Sequence, residues 1–129
     1  MGAGKIIGGI LSSIAGLFIC IVVFMNMDAL GIGGAFLASW IINLFIGVII
    51  LIGGLAGFGT RKTGAVVIVC AIISIILGVI GAAFIDVAVL FGQYSLFQGY
   101  MSVGPWQGIT LEAIFAAIGG LFIAASSDT

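Results

Sequence analysis

The chain is predicted to be all-α: an integral membrane four-helix bundle with its N- and C-termini on the cytoplasmic side. Three observations predict this. First, 64% of its 129 residues are hydrophobic, only 5% are charged, and the mean hydropathy is +1.53. Soluble domains carry roughly 25% charged residues, so a surface this poor in charge belongs in lipid. Second, the apolar residues fall into four blocks separated by short polar or glycine-rich stretches. Third, the basic residues lie on one side of that pattern. Lys5 precedes the first block, Arg61 and Lys62 separate the second from the third, and the other two connections carry no Lys or Arg. Positive charge marks the cytoplasmic side of a membrane protein.

The first span is residues 6–25. A secretory signal core is shorter than this, and about 20 apolar residues suit a crossing, so the segment is expected to be a retained signal-anchor helix. Asn26, Met27 and Asp28 then make a tight turn. The second span, 30–58, is longer than one crossing requires, and Gly31, Gly33 and Gly34 predict that its outer end is loosened or tilted. Residues 59–63 form the inner turn, and the third span is 64–90. The longest connection, 91–108, holds the only proline, Pro105. The fourth span, 109–125, is about the shortest run that can cross. All four belong to a single transmembrane domain, 1–129. A β-barrel would need alternating polar and apolar residues, and the runs 46–52 and 72–77 do not alternate.

The composition also excludes chemistries. There is no histidine, the commonest ligand for haem, copper and zinc. No nucleophile stands beside a base. No catalytic residue, cofactor site or metal site is expected, and the chain reads as a non-enzyme. Cys20 and Cys70 sit inside apolar blocks at depths that differ by roughly 10 Å if successive helices alternate in direction. That separation argues against a disulfide. The few charges make no basic patch, so nucleic acid is not a partner.

Small and polar residues recur every fourth position in each span. The lines are Gly8, Ser12, Gly16 and Cys20; then Gly31, Ala35, Ser39, Asn43 and Gly47; then Cys70, Ser74, Gly78, Ala82 and Asp86; then Glu112, Ala116, Gly120 and Ala124. Positions four apart share a helix face, and small residues there let backbones approach closely in lipid. Gly8, Ser12, Gly16, Gly47, Ser74, Gly78, Ala82, Ala116 and Gly120 are therefore the expected packing positions, within one bundle or between subunits.

Asp86 and Glu112 are the acids inside spans. An ionisable residue there points to function. If they face each other in the bundle mouth they hold a cation or share a proton, with Ser39 and Asn43 continuing a polar path. The simpler expectation is that both reach water at the outer interface, with Glu112 favoured by the N-terminal dipole of its helix. The outer connection is aromatic, with Tyr94, Phe97, Tyr100 and Trp106. These suit an interfacial belt or a partner-docking surface.

Packing faces are abundant and reactive groups scarce. The function expected is that of a small structural or accessory membrane protein in the lipid bilayer of the plasma membrane, assembling with itself or with other membrane subunits. The alternative is a small cation or proton channel or transporter using the outer-side acids.

Overall fold

In lipid every backbone N–H and C=O must find its partner within the protein, and helices satisfy that demand locally. The computed structural model describes residues 3–27, 31, 34–83 and 109–126, the side chains of 35, 36 and 81–83 excepted. Four helices are found among the described residues: α1 (Ala3–Met25), α2 (Gly34–Ala56), α3 (Thr63–Ala83) and α4 (Leu111–Ala125). The first three are long and apolar enough to cross a membrane.

The ends differ from expectation for local reasons. α1 starts at Ala3, which brings Lys5 into its first turn. α2 starts at Gly34 rather than near residue 30, because Gly34 has a φ of 62°, a left-handed conformation that glycine tolerates and a helix cannot continue. Its inner end closes at Ala56, where Gly57 N–H donates to Gly53 O at 2.9 Å and Gly59 N–H to Ala56 O at 2.9 Å. The expected outer end of the third span, 84–90, lies outside the described residues. α4 starts at Leu111 rather than 109, because Thr110 is its N-cap with extended backbone (φ −80°, ψ 148°), and Thr110 Oγ1 accepts from Ala113 N–H at 3.1 Å.

α1 packs along α2 on one side and α4 on the other, α3 packs along α4 and more lightly along α2, and α2 and α4 barely meet across the diagonal. The helices thus stand at the corners of a square, each beside its sequence neighbour, with α4 closing back on α1. Gly4 lies against Phe122 and Ser126, and Arg61 Nη1 donates to Ser126 O at 3.5 Å. Lys5, Arg61, Lys62 and the C-terminal end of α4 therefore gather at one end, which the charge rule assigns to the cytoplasm.

At the other end, the last carbonyls of α1 would be orphaned in an apolar medium. Asn26 Nδ2 donates to Val22 O at 2.7 Å, and Val23 O accepts both Asn26 N–H at 3.1 Å and the indole Nε1–H of Trp40 at 2.7 Å. The Trp40 ring meets Phe24 edge-on, with centroids 6.4 Å apart. These contacts fix the outer end of α2 to α1.

Glycine sets the spacing at the cytoplasmic half. Successive residues of a helix point about 100° apart, close to the angle between two neighbours at a corner of a square. A Gly-Gly doublet can therefore serve two interfaces at one level. Gly119 lies against Gly8 and Ser12 of α1, while Gly120 lies against Gly64 and Ile68 of α3. Gly54 lies against Ser12 and Ser13 of α1, while Gly53 faces Val67 of α3. In the third doublet Gly8 lies against Gly119 and Ile123 of α4, and Gly9 against the Phe58 ring.

Candidate functional site: an intramembrane polar core

The outside of the bundle is apolar, with Phe45, Ile52, Val69 and Leu121 among its most exposed side chains. The polar residues are inside. Of the small and polar lines, Gly8, Ser12, Gly16, Cys20, Ser39, Asn43, Gly47, Cys70, Ser74, Gly78, Glu112, Ala116 and Gly120 are all buried, whereas Gly31 is exposed and Ala124 intermediate. Gly16 lies against Leu51, Gly47 against Ile19 and Cys20, and Gly120 against α3. Gly16, Gly47 and Gly120 thus make close contacts within one chain, whereas Gly31 meets nothing within 4 Å. The side chains of Ala35 and Ala82, and all of Asp28, Asp86, Tyr94, Phe97, Tyr100 and Trp106, lie outside the described residues.

Glu112 is the main departure from the sequence reading. It does not reach water at the interface: its exposure is 0%. The cause is the length and placement of α4. Fifteen residues make about 22 Å of helix, short of the roughly 30 Å hydrocarbon core. Because the C-terminal end of α4 is aligned with the start of α1, its N-terminus begins well inside the outer half. Gly119 sits between Gly8 and Ser12 of α1. Counting seven residues outward along both helices brings Glu112 level with Leu17, about 12 Å of helix short of Met25.

Ser74 lies at the same level on α3. Gly120 lies between Gly64 and Ile68. Eight residues outward from Gly120 is Glu112, and eight outward from the middle of that α3 pair is Ser74; each step is about 12 Å. Ser74 is 2% exposed. On α2, Gly53 faces Val67, which puts Asn43 about a turn farther out than Ser74. The Cα–Cβ bond of a helical residue tilts toward the helix N-terminus, so Glu112 leans outward, toward the level of Asn43. Asn43 is 2% exposed, and its Nδ2 donates to Ser39 O at 2.8 Å. Ser39 and Thr110, also buried, complete the set.

Three helices therefore bring a carboxyl, an amide and three hydroxyl groups into the outer half of an otherwise apolar interior. Ser39, Asn43, Ser74 and Glu112 each have interaction partners. Among the described residues, no group of three His, Cys, Asp or Glu side chains could hold a metal ion. Cys20 and Cys70 are free thiols, as their depths require.

Three features escaped the sequence reading. Lys5 is buried rather than solvated. Its third place in α1 was the available signal, since a lysine there is close enough to the end to extend its head toward water. Trp40 bridges to α1, and its lone indole N–H within an apolar run was the signal. Ser12 Oγ and Ser13 Oγ are buried without hydrogen-bond partners, which no sequence pattern announces.

Comparison with family models, with curated proteins and with solved structures found no match to this chain.

Proposed function

We propose that this small membrane protein is a non-enzymatic structural or accessory subunit of the plasma membrane, assembling with itself or with other membrane subunits. One observation carries the reading. α3 is the least enclosed of the three long helices, with 33% of its span buried against 50% for α1. Its outward face presents Val66, Val69, Ile72, Ile73, Ile76 and Val79. These side chains are stiff and branched. In lipid, helices associate by van der Waals packing, and such a face loses little side-chain freedom when another helix covers it. The reading is tested by native mass measurement from mild detergent or lipid discs. A multiple of 13.1 kDa, or a larger defined complex, is expected; a mass of 13.1 kDa alone would contradict it.

A second reading, movement of a cation or proton, is favoured by the complete burial of Glu112. Ionisable groups held inside a membrane bundle mark ion pathways more often than packing sites. Flux in proteoliposomes separates the two readings. Equal leak in protein-containing and empty vesicles removes conduction.

A further inference from the structure

We propose that the cytoplasmic end of α4 is a binding site for one anionic phospholipid, with an acyl chain in a groove on α4 and the phosphate held by Arg61 and Lys62. The inference depends on the membrane placement of the bundle and on neither functional reading above.

Ile118, Leu121, Phe122 and Ala125 line an open groove of about 290 Å³. They stand at positions i, i+3, i+4 and i+7, so they share one helix face, over about 10 Å of axis. Ile118, Leu121 and Phe122 are 40%, 59% and 42% exposed, and all four lining side chains are hydrocarbon. In a bilayer such a groove is covered by a lipid tail or by another helix, both equally apolar. The charges at its inner end decide between them.

Ala125 is the innermost lining residue, and the next residue, Ser126, carries the carbonyl that accepts from Arg61 Nη1 at 3.5 Å. That contact sets the guanidinium at the inner mouth of the groove. Arg61 and Lys62 are both exposed there. From α1, Gly4 lies against Phe122 and Ser126, and Lys5 follows it in the same turn. Three cations thus gather at this end, and Asp128 is the one acid close to Ser126 in sequence. Anionic lipids give the cytoplasmic leaflet its negative potential, and Lys and Arg beside the membrane attract them. α4 has no basic residue in its own last turn, and its C-terminal dipole disfavours an anion, so headgroup recognition falls to the turn that carries Arg61 and Lys62. A second copy fits this face less well. The charge rule orients every copy alike, so a neighbour on α4 would bring its own Lys5, Arg61 and Lys62 to the same level, where like charges repel.

The test is native mass spectrometry of the full chain in mild detergent, titrated with phosphatidylglycerol or with phosphatidylcholine of identical acyl chains. One phosphatidylglycerol per chain is expected to be retained, about thirtyfold more tightly than phosphatidylcholine, as two cations beside a membrane surface supply. Arg61→Gln and Lys62→Gln should each cut that preference about fivefold while leaving phosphatidylcholine binding unchanged. Ala125→Phe should fill the groove and lose the retained adduct of both lipids. All three positions are exposed, so helicity and thermal midpoint, read alongside, should match those of the parent chain. Equal retention of the two lipids, or a preference that survives both Gln variants, would overturn the site. A preference undiminished by Ala125→Phe would mean diffuse attraction to the basic end and would overturn the groove. A mass of two chains that forms as lipid leaves would assign the face to a second copy and overturn the lipid.

Discussion

At the scale of single residues, the chain keeps polar groups where they cost stability, and two substitutions measure how much. Ser12 Oγ is buried without a partner. An unsatisfied hydroxyl costs about 1–3 kcal/mol, so Ser12→Ala should leave the bundle equally stable or more stable by about 1 kcal/mol. A thermal or denaturant titration in detergent reads this; a clear loss of stability would mean that the hydroxyl is satisfied. Trp40 is the opposite case. Its indole donates to Val23 O at 2.7 Å, so Trp40→Phe should lose about 1 kcal/mol and loosen the outer end of α2 against α1. The sequence made the polarity of Ser12, Asn43 and Glu112 plain, and their sharing of helix faces followed from four-residue spacing. The depth of Glu112 was not legible. It depends on where α4 stops and which neighbour it aligns with, and residue spacing within one helix carries no such information.

At the scale of elements, glycine position decides how closely helices approach. A Cβ at Gly119 would collide with Ser12 and with the Gly8 carbonyl. Gly119→Ala should therefore cost about 1–3 kcal/mol, as overpacking does. A Cβ at Gly31 meets nothing within 4 Å, and Gly31→Ala should be neutral or stabilising by about 0.4–1 kcal/mol through the unfolded chain. Paired melting curves check the contrast; equal effects at the two sites would remove the close-approach argument. The four apolar blocks already showed where helices run, because a crossing needs a long uninterrupted run. Their ends were less legible. Gly34 stops α2 through a positive φ, and Thr110 starts α4 through a side-chain cap, both decided by local conformation rather than hydropathy. The pairing of Gly119 with α1 and Gly120 with α3 was also hidden, since four-residue lines follow one face and a doublet serves two.

At the scale of the whole molecule, the bundle is tight and glycine-lined at its basic end and polar in the interior of its outer half. The hydropathy blocks and the placement of three cations were enough to predict this orientation of the helices, because both act through the bilayer rather than through side-chain packing. The arrangement requires that residues 26 and 60 emerge on opposite sides and that 60 and 126 emerge on the same side. Replacing Arg61 and Lys62 with Gln should weaken that orientation and yield a mixed population, with Lys5 as the remaining cytoplasmic cation. The most direct measurement is labelling of single cysteines by a membrane-impermeant thiol reagent in sealed vesicles of known sidedness, in a chain lacking Cys20 and Cys70. Thr60→Cys and Ser126→Cys are predicted to react only from the cytoplasmic face and Asn26→Cys only from the opposite one. Reaction of Asn26→Cys and Thr60→Cys from the same face would contradict the four-crossing bundle.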